Sequence, residues 1–403
     1  MSPSFFSLAW LCFVLAFVQL AATLPWLLAL DISQRPRWKR WSTWGIGLVA
    51  CAGVGLVAGW YLDNNADAVF LSRVGRVYCS ILHLQLGADL FVGVFGLLLI
   101  FWPKGGAVAL SAFREGVRQP MFWLLGGAAF LLIGASPFVP YFTFGEDLKM
   151  VKELGYALTM LAAAAFAVIA ASMSVSEEIE GRTAVTLMSK PVSRRQFLLG
   201  KFGGILMAAL FMTAILGWFL VWVVLFGTGY IRLPAQQDPP DPQWLVDLSK
   251  SLFPASTAAD LVRGMLLWVD DVVLTLPGLV IGFCQAMVFL AISLALATRL
   301  PVVVNWSICL AVYYLGHLTP IMTEVTRSPK AFGGRLINFV AQLFDTLLPG
   351  LDLFDVGTAV IREAPLPPLE YNLYALNVSL YAVVYTTIAL LFGLILFEDR
   401  DLA

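Results

Sequence analysis

The side chains able to do chemistry are few, and they crowd into one place. Glu177, Glu178, Glu180, Arg182, Lys190, Arg194, Arg195 and Lys201 all fall within residues 174–201, S-V-S-E-E-I-E-G-R-T-A-V-T-L-M-S-K-P-V-S-R-R-Q-F-L-L-G-K, between two long apolar segments. Carboxylates and arginines can serve as bases and anion clamps, and a site that combined them with an imidazole base would need histidines close by. The only histidines, His83 and His317, are remote from the island in sequence. Gly200-Lys201 is no phosphate loop, because Arg195 stands where the first glycine of a Walker A would be required. Cys12, Cys51, Cys284 and Cys309 lie in apolar runs, as thiols packed like small hydrophobes do, and Cys79 has no evident partner, so the pattern is not a disulfide framework. The island is therefore not expected to hydrolyse ATP by a Walker A route.

The elements around the island must hold it in water. An ionisable side chain at the bilayer centre costs roughly 2.5 to 3.5 kcal/mol on insertion scales, so this run of charges is excluded from lipid. Ser174 with Glu177 has the spacing of a capping box and predicts a helix start, with Ile179, Val185, Leu187 and Met188 as its apolar side. Pro191 lacks an N–H and disfavours helical angles at Lys190, which predicts a stop near Ser189. Ser193 with Gln196 repeats the capping spacing and opens the next apolar run.

Taken together, E-x-x-x-G-x-T, a hydrophobic helix, then S-K-P-V-S-R-x-Q-F and G-K resembles the cytoplasmic loop of ATP-binding-cassette type-2 permeases, the membrane half of one class of ABC exporters. Glu177, Glu180, Gly181, Thr183, Leu187, Ser189, Pro191, Ser193, Arg194, Gly200 and Lys201 carry the likeness. The resemblance implies a coupling helix that docks in a groove of a separate ATPase subunit. It assigns docking to Glu177, Glu178, Glu180, Gly181, Arg182, Thr183 and Leu187, and interface anchoring to Arg194, Arg195 and Lys201. It further implies a second permease copy, no cofactor in this chain, and ATP and Mg bound by the partner ATPase.

Two other readings compete. E-E-I-E-G-R, residues 177–182, also resembles the first motif of intramembrane CAAX-type proteases, but that family's F-x-x-x-H and H-x-x-x-N motifs are missing. Cys79 and Tyr313 stand four residues before the histidines, and no asparagine follows at four. The third reading is a membrane scaffold with no transport cycle. Co-purification of a stimulated ATPase with Walker motifs separates these classes.

The composition, 60% hydrophobic and 13% charged with a mean hydropathy of +0.85, predicts an all-α, polytopic integral membrane bundle. A net charge of −1 gives no sign of a nucleic-acid partner. A span needs about 20 apolar residues, and about nine such segments follow in order: 5–30, 44–61, 84–102, 121–141, 154–172, 202–225, 272–297, 302–322 and 374–397. The N-terminus M-S-P-S-F-F lacks the basic start of a signal peptide, so the first segment is read as a retained span. Gly55 and Gly59 form a G-x-x-x-G spacing suited to close helix approach.

Arg35, Arg37, Lys39 and Arg40 place the first loop inside by the positive-inside rule, which puts the N-terminus outside and the C-terminus in the cytoplasm of a cell (plasma or inner) membrane. Residues 63–80 and 227–271 are expected as external loops, the second with a short helix over 256–268. Residues 145–153 are expected as a short turn, and Asp89 near the start of its span. Pro277 is expected as a kink near an outer end, and Thr298 to Pro301 as a tight connection. A further helix over 336–348 is expected at the external surface. Residues 103–120 read as an amphipathic interfacial helix, with Val108, Ala112, Phe113 and Val117 opposite Arg114, Glu115 and Arg118. It resembles the elbow helix that opens the family's permease domain. The expected organisation is a three-span leader, 1–102, and a six-span permease domain, 103–403, containing the coupling loop 174–201.

Overall fold

The computed structural model describes residues 3–30, 41–141, 147–180, 192–232, 241–254, 257–326, 339, 343, 348–355 and 367–398. Every element among them is helical: α1 (Pro3–Leu30), α2 (Trp41–Asn65), α3 (Ala68–Phe101), α4 (Pro103–Arg118), α5 (Pro120–Ala135), α6 (Asp147–Glu180), α7 (Arg194–Arg232), α8 (Gln243–Leu252), α9 (Thr257–Ala297), α10 (Val302–Thr326) and α11 (Pro368–Glu398). Short 3₁₀ turns cover Ser136–Phe138 and Leu351–Phe354. Lipid offers backbone groups no hydrogen bonds, so spanning segments close all of theirs internally.

Eight of the described helices are long and apolar enough to cross, and Val302–Leu318 adds a shorter apolar helix. That is the polytopic bundle of about nine spans expected from the sequence. Large apolar side chains such as Phe101, Leu131 and Val303 remain exposed on the helix surfaces, as lipid-facing residues do.

The chain forms two compact units. The first comprises Met1–Leu97 together with Ala235–Leu274, the second Leu98–Pro234 together with Thr275–Ala403. In the first unit, Gly55 and Gly59 sit against α1 closely enough that a Cβ at Gly55 would lie 2.8 Å from the Phe13 backbone, and one at Gly59 2.7 Å from Ala9 Cα. The G-x-x-x-G spacing is thus a helix contact. In the second unit α6 is largely enclosed, with 61% of its apolar stretch buried. Its alanines 162–164, 167, 170 and 171 all lie in the core, and Phe122 meets Phe166 edge to face at 5.2 Å.

The helices reach further than the apolar runs suggested. Residues 63–80 are not an external loop: α2 runs to Asn65, and α3 starts at Ala68, where the Asp67 carboxylate accepts from the Phe70 N–H at 2.7 Å as an N-cap. Arg73 and Arg76 sit on a helix whose opposite side, Leu71 and Gly75, is buried, so hydropathy alone missed an amphipathic turn. Asp89 consequently lies well inside α3, and the helix that carries it starts earlier than expected. Likewise α6 begins at Asp147, inside the expected turn 145–153, and the expected short helix 256–268 is the first part of one continuous α9, which leaves Pro277 near mid-helix. The tight connection 298–301 is present, with Arg299 and Leu300 N–H groups both donating to the Leu296 carbonyl. Apart from residues 339 and 343, the expected helix 336–348 falls outside the described residues up to Pro349's neighbourhood, which is described from residue 348.

Candidate functional site

The island begins where α6 ends and finishes where α7 begins, and both ends are held by polar contacts within the second unit. Ser174 does not cap a helix start. Residues before it are already helical, so its neighbours' N–H groups are satisfied, and α6 continues to Glu180. Ser174 Oγ instead accepts from Lys201 Nζ at 2.8 Å, while Lys201 also reaches Glu115 Oε2 on α4 at 3.2 Å. Lys201 is buried, with its ammonium 6.0 Å from the Phe197 ring centre. One side chain therefore ties α4, α6 and α7 together.

The second capping box forms as the sequence predicted. Ser193 N–H donates to Gln196 Oε1 at 3.1 Å, and Gln196 N–H to Ser193 Oγ at 3.2 Å. This reciprocal pair fixes the first turn of α7 and aims its two arginines. Arg194 Nη1 donates to the carbonyls of Phe397 at 3.0 Å and Glu398 at 2.8 Å, with its guanidinium carbon 5.7 Å from the Phe397 ring centre. Arg195 pairs with the Glu398 carboxylate at 3.1 Å. From the 298–301 turn, Arg299 Nε donates to the Leu396 carbonyl at 2.8 Å. The last carbonyls of a helix have no partner within it and carry its negative end, so two arginines here serve α11 as a C-terminal cap. Ser176 Oγ on α6 donates to the Leu300 carbonyl at 3.3 Å.

These contacts make a polar collar at one end of the second unit. It gathers the ends of α6 and α11, the beginning of α7, the last turn of α4 and the α9–α10 turn. Of the sequence-selected residues, Arg194, Arg195 and Lys201 belong to it. Glu177, Glu178 and Glu180 lie in the last turn of α6, where the backbone alone is described, and Gly181, Arg182, Thr183 and Leu187 fall outside the described residues. Sequence reading missed Glu115, Ser174 as an acceptor, Arg299, Phe397 and Glu398. Their partners are distant in the chain, and the sequence places Glu115 only on the charged face of α4 and Arg299 only in the tight connection before Pro301.

Above the collar a second network joins three helices. Asn305 Nδ2 on α10 donates to Ser172 Oγ on α6 at 2.8 Å and to the Ser293 carbonyl on α9 at 2.9 Å. Ser293 Oγ donates to the Val168 carbonyl at 3.0 Å. All three side chains are fully buried, and inside a membrane such bonds fix helix register because no water competes for them.

Of the two histidines, His83 faces Trp268 in the first unit, its ring centre 6.3 Å away. His317 belongs to the second unit, where its Nδ1 lies 2.9 Å from the Tyr313 carbonyl, and it lines a cavity of about 210 Å³ with Glu153 and Gln285.

Close helix packing supports the collar. Gly200 and Gly204 on α7 face α4 so tightly that a Cβ on Gly204 would meet the Ala109 carbonyl oxygen and lie 2.6 Å from Ala112 Cβ. The buried face of α4 is thus Gly105, Gly106, Ala109, Ala112 and Gly116, smaller than the Val108 and Phe113 stripe that its amphipathic pattern suggested.

No curated protein matches this chain. Residues 117–238, which run from the end of α4 through α5, α6, the island and α7, match the family model described as ABC-2 family transporter protein. This stretch, with the island at its centre and Arg194, Arg195 and Lys201 at the island's edge, is therefore similar to the ABC-2 family of transporter proteins, within a polytopic helical membrane protein.

Proposed function

We propose that the chain is the membrane-spanning permease subunit of an ABC exporter-like complex, in which a separate ATPase subunit docks on the island and a second permease copy completes the pathway. The observation that carries this reading is the family match over 117–238, centred on a charged island that joins two membrane helices. ATP and Mg belong to the ATPase, and closure of the ATPase pair pushes on the segment from Glu177 to Leu187. Glu178, Glu180, Arg182, Thr183 and Leu187 make the docking contacts, with charged flanks around an apolar stripe. The island lies on the cytoplasmic side of the cell membrane.

The collar supplies the mechanical part. A push on the island reaches α6 directly. It passes to α4 and α7 through Lys201, and to α11 through Arg194 and Arg195, so the helices respond together. Arg194, Arg195 and Lys201 are positioning residues in this scheme, and the leader, 1–102, is outside the coupling route.

Replacing Glu180 and Arg182 together with alanine tests the reading. We expect the ATPase to be lost from the purified complex, or its activity to become insensitive to the permease, while membrane insertion of the chain is unchanged. Full recovery of a coupled ATPase with the double variant would remove the docking role.

A further inference from the structure

α4 joins two membrane helices, α3 ending at Phe101 and α5 beginning at Pro120. Its sixteen residues therefore lie at a membrane surface whichever way the chain is inserted. Beside α4 runs a groove of about 720 Å³ whose floor includes Leu99, Leu110 and Pro120 and whose wall carries Arg114, Arg118 and Gln119.

Arg114 and Arg118 are one helical turn apart, on the same face, where two like charges repel. Both are exposed, and neither makes a hydrogen bond or ion pair among the described residues. The one carboxylate of the groove, Glu115, is engaged by Lys201 at 3.2 Å, so the positive charge is uncompensated. Gln119 adds a buried side-chain oxygen with no hydrogen-bond partner, an acceptor waiting for a donor such as a hydroxyl.

We propose that this groove binds a phospholipid with an anionic headgroup, its phosphate between Arg114 and Arg118 and an acyl chain along Leu99 and Leu110. Guanidinium groups match phosphate oxygens in number and geometry. A free phosphate ion would leave the apolar floor uncovered, and a choline headgroup would bring its own cation against two arginines. A glycerol headgroup brings both the negative charge and a hydroxyl for Gln119. The inference does not depend on the transport reading, since it needs only a membrane surface.

The test uses the full chain, purified and stripped of lipid, then offered phosphatidylglycerol, phosphatidylcholine or inorganic phosphate, with bound lipid counted by native mass spectrometry. The unmodified chain should retain phosphatidylglycerol in preference to phosphatidylcholine, and inorganic phosphate at equal concentration should not displace it. R114Q/R118Q should bind phosphatidylglycerol about 25-fold more weakly, roughly fivefold for each lost charge. Equal retention of the two lipids by the unmodified chain, displacement by inorganic phosphate, or undiminished binding by the double variant would each overturn the proposal. If the variant does not assemble, the lipid competition on the unmodified chain decides alone.

Discussion

Lys201 is a buried ammonium held by a carboxylate that is itself 41% exposed, and that asymmetry sets the cost of breaking the pair. Glu115→Ala leaves the charge of Lys201 in the core with the Ser174 hydroxyl but without its carboxylate, which costs about 3 kcal/mol for a buried pair that loses one partner. Lys201→Met leaves Glu115 where water can reach it and fills the core with an apolar chain, so the loss should be about 1 kcal/mol. Thermal unfolding of the two variants in detergent should place Glu115→Ala well below Lys201→Met, and the reverse order would mean that the pair is solvated. Asn305 sets a similar contrast. Asn305→Leu removes interhelical bonds averaging roughly 0.6 kcal/mol each, and Ser172 keeps its own bond to the Val168 carbonyl at 2.8 Å. Asn305→Asp adds a charge costing about 3 kcal/mol in a membrane helix. The yield of folded protein should therefore fall more for the aspartate.

At the scale of elements, the junction of α4 with α7 depends on the absence of side chains. At Gly204 the obstacle to a Cβ is the backbone of α4 as well as Ala112, so nothing flexible can give way. Gly204→Val should cost about 3 kcal/mol or more through overpacking. Gly203→Ala is the control: the nearest atom to its Cβ is Ala109 Cβ at 4.0 Å, ordinary van der Waals contact. Proteolysis of the folded chain in micelles reads the difference, and equal sensitivity of the two variants would show that α4 is free to move off α7.

For the whole molecule, the proposed topology is checked by sidedness. In a cysteine-free background, Thr183→Cys should react with an impermeant thiol reagent only after the membrane is opened, whereas Asp238→Cys should react in intact cells. Labelling of position 183 from outside would invert the arrangement and remove the docking site from reach of any cytoplasmic ATPase.

What the sequence determined by itself is what lipid enforces locally. The number of spans, the helical class, the capping box at Ser193 and Gln196, the tight turn before Pro301 and the contact at Gly55 and Gly59 all follow from neighbouring residues, because each is decided by apolar length, a missing N–H or an absent Cβ within a few positions. The tertiary structure decided who meets whom. It carried α6 through Ser174 and began α3 at Ala68. It brought Glu115, Arg299 and the carbonyls of α11 to the island's edges, and it grouped Ala235–Leu274 with the first unit. Those choices turn on packing and on charges far apart in the chain. A buried lysine finds its carboxylate, and a helix end its guanidinium, only after the helices have come together.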